Sequence, residues 1–180
     1  MPAKGVVEMK ISLANRKDCL EILDLQKLAY KQEAEIYNDY AIPPLTQTID
    51  EFYKEFDHST ILKAVTDNII VGSVRAYIKN NICFIGRLIV HPDYQNKGIG
   101  TKLMNEIEGY FKDKHINKYE LFTGEKSQKN IHLYQKIGYR IFKTEKLNDN
   151  VNIVFMEKLI NKSSFWNAGF LTNRNFLLHS

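Results

Sequence analysis

Polar and apolar positions along this chain follow two periods, and the switches between them mark its elements. Met9 to Leu13 reads as a first strand. From Asp18 to about Tyr37 the apolar residues Ile22, Leu25, Leu28 and Ala29 recur at helical spacing, which predicts an amphipathic helix. Ile42-Pro43-Pro44 interrupts that pattern, because proline lacks the N–H a helix interior needs. Thr48-Ile49-Asp50-Glu51 then has capping-box spacing, predicting a second helix with Ile49, Phe52, Tyr53 and Phe56 as its apolar members. Thr60 to Thr66, Ile69 to Ile78 and Ile82 to Val90 are rich in β-branched and aromatic residues. They are separated by the turn formers Asp67-Asn68 and Lys79-Asn80-Asn81, so sequential antiparallel strands are expected.

At Gly98 the period becomes helical again, with Leu103, Met104, Ile107, Tyr110 and Phe111 on one stripe as far as about Lys112. Tyr119 to Thr123 reads as a strand. Ser127 is placed to cap a short helix running to Ile137, which Gly138 stops. Tyr139 to Thr144 and Val151 to Lys158 close the pattern as strands around Asn148-Asp149-Asn150. This order predicts an α/β (α+β) fold, a mixed and mostly antiparallel sheet flanked by helices, over residues 1–160. Residues 161–180 carry Trp166, Phe170, Leu177 and Leu178 without a period, and read as a flexible or docking extension compatible with a homodimer contact.

Composition narrows the class. With 180 residues, 44% hydrophobic and 26% charged, the chain suits one continuous core. Cys19 and Cys83 lie far apart without His or Cys at metal-ligand spacing, so no metal site or disulfide framework is expected and a reduced, cytoplasmic setting fits. No stretch approaches the roughly 18 apolar residues of a membrane span, and the N-terminus lacks a leader pattern, so a soluble, unprocessed protein is expected. The net charge of +4 is spread among acids rather than gathered on one face, which argues against nucleic-acid binding.

One loop carries chemistry. Phe84 to Tyr94 runs an apolar strand into a proline-marked turn, followed directly by Gln95-Asn96-Lys97-Gly98-Ile99-Gly100-Thr101 at a helix start. The unpaired N–H groups of a first helical turn and the positive end of its dipole favour an anion, and a diphosphate suits the site. Gly98 and Gly100 are expected to let a ligand approach the backbone. The spacing fits neither a P-loop, which needs Gly-Lys-Ser/Thr after four residues, nor a dinucleotide fingerprint, since Leu103 stands where Gly or Ala is required.

Taken together, Leu88-Ile89-Val90-His91-Pro92, Gln95 to Gly100, and Ser-Gln-Lys-Asn-Ile-His-Leu-Tyr-Gln-Lys-Ile-Gly-Tyr from Ser127 to Tyr139 resemble the GNAT superfamily of N-acetyltransferases. That resemblance implies acetyl-CoA as acyl donor and direct attack by an amine acceptor in a ternary complex. It implies that Leu88 and Val90 offer backbone contacts to pantetheine, and that Gln95, Asn96, Lys97, Gly98, Ile99, Gly100 and Thr101 hold the diphosphate. Ser127 and Asn130, which replace the family's Asn and Ala, are expected near pantetheine. Periodicity alone places Tyr134 on an apolar face with Ile131 and Ile137; the resemblance makes it the phenol beside the CoA sulfur.

Gly86 occupies a strand position where many relatives carry an acid, so the general base is sought elsewhere. Glu33 shares a helical face with Gln26, Tyr30 and Tyr37 in the region of the family's acceptor site, a solvated charge being the alternative. His91-Pro92 is read as turn chemistry. Arg75 either receives an acceptor carboxylate or pairs with an acid. A non-catalytic acyl-CoA-binding module and a protein-lysine or N-terminal acetyltransferase remain the competing readings, and the acids Glu33, Glu35, Asp39, Asp50 and Glu51 leave a cationic acceptor open.

Overall fold

Two tight turns organise the first half of the sheet. In a computed structural model, which describes residues 8–148 and 151–160, Asp67-Asn68 and Asn80-Asn81 all have positive φ (50°, 63°, 52° and 60°). That is the backbone of hairpin turns whose twist matches that of the strands they join. They link β2 (Thr60–Thr66), β3 (Ile69–Lys79) and β4 (Ile82–Val90) into an antiparallel meander, with β1 (Lys10–Leu13) on its outer edge. The other strands are β5 (Lys118–Gly124), β6 (Arg140–Lys146) and β7 (Asn152–Leu159), and the seven are ordered β1-β2-β3-β4-β5-β7-β6. Among the described strands, only β4 and β5 run parallel.

Helices cover both faces. On one side α1 (Cys19–Tyr37) and α3 (Ile49–Phe56) bury Ile22, Leu23, Leu25 and Phe52 against Ile61, Ile70 and Ile89. On the other, α4 (Ile99–Phe111) and α5 (Gln128–Lys136) contribute Leu103, Met104, Ile107, Phe111, Ile131 and Tyr134 to a core with Val71, Val74, Leu121, Val154 and Met156. Each fully buried side chain of this size contributes about 1.5–3 kcal/mol. Glu108 ties the layers: it accepts from the Tyr139 hydroxyl at 2.9 Å and pairs with Lys158 at 2.5 Å.

The expected capping box is present, with Glu51 N–H donating to Thr48 Oγ1 at 3.3 Å and Thr48 N–H to Glu51 Oε2 at 2.8 Å. Three expectations are corrected. Leu28 and Tyr110 are 37% and 44% exposed, at the margins of their stripes rather than in the core. The prolines do more than interrupt, since Pro43 and Pro44 open a short helical turn, α2 (Pro43–Thr46), where a missing N–H costs nothing. Ser127 precedes α5 without capping it, because its hydroxyl is engaged elsewhere. Asp149-Asn150 and the 161–180 extension lie outside the described residues. Among the described residues, no helix is long and apolar enough to cross a membrane.

Candidate functional site

The loop after β4 is held open by its own backbone. His91 Nδ1 accepts from Asp93 N–H at 3.2 Å and starts a single 3-10 turn, Pro92–Tyr94, which confirms the expected turn role of this histidine. Asn96 (φ 60°) and Gly98 (φ 78°) then reverse the chain into α4. The first bond within the helix runs from Lys102 N–H to Gly98 O at 3.0 Å, which leaves the N–H groups of Ile99, Gly100 and Thr101 facing outward at the positive helix end. A Cβ on Gly98 would meet nothing within 4 Å, so the space before these donors is clear. Gly100 has a packing role that was not expected: a Cβ there would lie 3.2 Å from Leu133 Cδ1, so this glycine lets α4 pack on α5.

Side chains around the loop add positive charge. Gln95 Nε2 donates to Val90 O at 3.3 Å and to Gln32 Oε1 at 3.2 Å, while Lys129 Nζ donates to Gln95 Oε1 at 2.8 Å. Lys97 lies over the Tyr94 ring at 4.7 Å. Free N–H groups, a clear approach and nearby cations form a donor set that fits a diphosphate. Lys129 and Gln32 were not singled out from sequence; Lys129 lies within the motif read around Asn130, and that proximity was the available signal.

Beside this loop the sheet divides. β4 and β5 pair only at Ile82↔Lys118, Cys83↔Tyr119 and Phe84↔Glu120, after which their ladder ends. Between Ser73↔Ile89 and Arg75↔Gly86 strand β4 carries an extra residue, a bulge at which Arg87 takes φ 49° and turns the strand away from β5. Among the described residues Leu88 and Val90 therefore have no strand partner on the β5 side, and of their backbone groups the Val90 carbonyl is engaged by the Gln95 side chain. Such an edge suits an extended ligand that hydrogen-bonds as a strand does.

One face of α1 spans this division. Gln26 accepts from Arg75 Nη2 on β3, and the Tyr30 ring lies 5.7 Å from the Arg87 guanidinium on β4. Glu33 accepts from the Ser127 hydroxyl at the start of α5, and the Tyr37 hydroxyl accepts from Lys126 N–H at 2.7 Å. The sequence-read face Gln26, Tyr30, Glu33 and Tyr37 is thus turned toward the fold, with Gln26 buried and the other three partly buried, because its members meet groups on β3, on β4 and in the loop before α5. Tyr134 lies behind it, buried, with no hydrogen bond to its hydroxyl among the described residues. Burial first, then the neighbouring Tyr30 and Glu33, push its phenol well above the usual range and keep it un-ionised. Asn130 makes no side-chain hydrogen bond among the described residues, although its N–H bonds to Ser127 O at 3.0 Å.

Burial pushes the Cys83 thiol up to about 12 and also raises that of Cys19, so neither is a thiolate nucleophile at neutral pH. Among the described residues no cluster of His, Cys, Asp or Glu is arranged to hold a metal.

Comparison with known proteins agrees with this layout. Residues 20–139 match the model of the acetyltransferase (GNAT) family. The UPF0157 protein YqkA of Bacillus subtilis is 31% identical over 127 residues, 70% of this chain but only 36% of that protein. The L-amino acid N-acyltransferase MnaT of Escherichia coli is 24% identical over 138 residues, covering 73% of this chain and 79% of that protein. In fold, the PaiA N-acetyltransferase of Thermoplasma acidophilum, solved with coenzyme A, superposes with a TM-score of 0.65 at 21% identity, over 85% of this chain and 99% of that one.

Proposed function

Since the chain belongs to the GNAT acetyltransferase family, we propose that it transfers an acetyl group from acetyl-CoA to an amine, a small molecule or peptide, by direct attack within a ternary complex. The observation that carries this reading is the α1 face laid across the divided sheet. It sets Glu33 and Tyr134 beside the gap that β4 and β5 leave, with the anion-binding loop at one end.

In this mechanism the N–H groups of Ile99, Gly100 and Thr101 anchor the diphosphate, with Lys129 and Lys97 adding charge. The free edge of Leu88 and Val90 aligns the pantetheine arm and offers a fixed N–H to the thioester oxygen. Acetyl-CoA supplies the activated acyl group; the new C–N bond forms as the C–S bond breaks. Glu33 receives the proton that the amine gives up. Tyr134, un-ionised, passes its phenol proton to the departing sulfur as the C–S bond breaks and is reprotonated from Glu33, so the proton the amine loses is the one the CoA thiol gains. Ser127 orients Glu33. Gly86 leaves β4 without an acid, and for that reason the base is assigned to α1.

The test follows thiol release from acetyl-CoA with a panel of amines, amino acids included, together with thermal stabilisation by CoA. Stabilisation and release with at least one amine are expected. Stabilisation without release from any amine would mean a binding module, and the absence of both would remove acyl-CoA from the account.

A further inference from the structure

Two guanidinium groups stand on the α1 side of the gap, and their partners differ. Arg75 on β3 is 5% exposed, clamped by Gln26 of α1, Glu55 of α3 (2.6 Å) and the Phe52 ring (4.8 Å). Its Nη1, although beside Glu55, has no aligned hydrogen bond. Desolvation lowers its pKa to about 10, with the Arg87 charge adding to that fall, so the two cations sense each other while Arg75 stays charged at neutral pH. Arg87, in the bulge, has no carboxylate partner among the described residues; its contact is the Tyr30 ring.

Directly across from Arg75 in the ladder is Gly86, so a side chain there would point to the same face. A Cβ at Gly86 would meet nothing within 4 Å. The structure therefore has an open space on the sheet, bordered by a cation without a counter-ion and floored by a glycine. One turn along α1 from Tyr30 is Glu33, whose partner among the described residues is the neutral Ser127 hydroxyl. An uncompensated cation and an uncompensated carboxylate thus flank one space, separated by Tyr30.

We infer that the acceptor is an amine that also carries a carboxylate, as an amino acid does, with its carboxylate received by Arg87 over Gly86 and its amino group turned toward Glu33. This rests on the acyl-transfer reading and specifies its substrate class. Arg75 acts as a positioning residue: its ion pair with Glu55 and bond to Gln26 fix α3 and α1 around the space. A guanidinium suits this task because its planar fork matches a carboxylate with two parallel bonds. A polycationic acceptor is disfavoured, since it would bring like charge to both arginines.

The experiment compares matched acceptors, amino acids against their carboxamides and decarboxylated amines. Rates of thiol release are measured for the wild-type protein and for Arg87→Gln, and binding is measured by calorimetric titration into the CoA-saturated protein, which needs no turnover. Acids are expected to exceed their amides by at least about tenfold in kcat/KM and in affinity, as for a site whose donor is left unpaired by the analogue. In Arg87→Gln that ratio should fall toward one, mainly through KM. Arg87→Lys should restore part of it. Because position 87 has positive φ, Arg87→Asn serves as a second variant, Asn adopting that region more readily. Equal use of acids and amides, or a ratio unmoved by both variants, overturns the inference while leaving acyl transfer intact. Selective binding of acids without thiol release upholds it and counts against acyl transfer. Binding of neither kind overturns it.

Discussion

Tyr134 is suited to donate a hydrogen bond because its surroundings oppose charge: burial and the nearby Tyr30 and Glu33 all favour the neutral phenol. Its neighbour Glu33 is engaged by Ser127, the residue that takes the place of the family's usual Asn. Tyr134→Phe keeps the ring in its packed position and removes only the donor. It should lower kcat about ten- to a hundredfold, as removal of an acid-base group typically does, with a smaller change in KM. Unchanged kcat in steady-state thiol release would take Tyr134 out of the chemistry. Neither the hydroxyl of Ser127 nor the guanidinium of Arg87 could be assigned a partner from sequence, since Glu33 and Tyr30 are 94 and 57 positions away and only the fold brings them together.

At the scale of elements, the loop before α4 contains two glycines that serve different needs. Gly98 holds φ 78° in open space, whereas Gly100 lies against Leu133 of α5. Gly98→Ala should cost about 1–2 kcal/mol through the left-handed backbone alone. Gly100→Ala should cost a similar amount, about 1–3 kcal/mol, through overpacking, and part of that loss should return when Leu133→Val is combined with it. Urea denaturation of the four variants reads both costs, and failure of Leu133→Val to relieve Gly100→Ala would refute the packing role. Periodicity and turn residues located nearly every element here: Thr48 with Glu51, the paired turn residues Asp67-Asn68 and Asn80-Asn81, and the terminating Gly138 (φ 97°) all act through neighbours a few positions away. The shared α1 face from Gln26 to Tyr37 was legible for the same reason. What those residues touch was not, nor was the division between β4 and β5, because the bulge at Arg87 leaves no local pattern beyond the adjacent Gly86.

Across the whole molecule, charge pairs fasten the second half of the sheet. Glu157 on β7 bonds Lys118 of β5 at 2.9 Å and Arg140 of β6 at 2.9 Å. Those bonds, Lys118 first, hold the Glu157 carboxyl below its usual range, while Glu157 and then Glu120 hold Lys118 above its own. A depressed carboxyl stabilises the fold above its unfolded pKa of about 4.3 and loses that contribution as pH falls through the lower folded value. A raised lysine stabilises below about 10.4 and loses its contribution as pH rises through the higher folded value. The melting temperature should therefore be flat in this respect from about pH 5 to 10, and Glu157→Gln should make the acid limb shallower; an identical acid limb would show that the pairs contribute nothing. The two hairpins of the meander have a kinetic consequence. Joining β2 to β3 and β3 to β4 closes loops of only two residues, Asp67-Asn68 and Asn80-Asn81, whereas β5 can dock on β4 only after the α4 crossover has formed. Local closure costs little chain entropy and long crossovers cost more, so amides of β2 to β4 should gain protection before those of β5 to β7 in pulse-labelled hydrogen exchange, with simultaneous protection the contrary result. On that order of events, Arg75 and Arg87 belong to the part of the chain that folds early and Tyr134 to the part that folds late, so that the proposed acid takes its place beside α1 only with the last docking step.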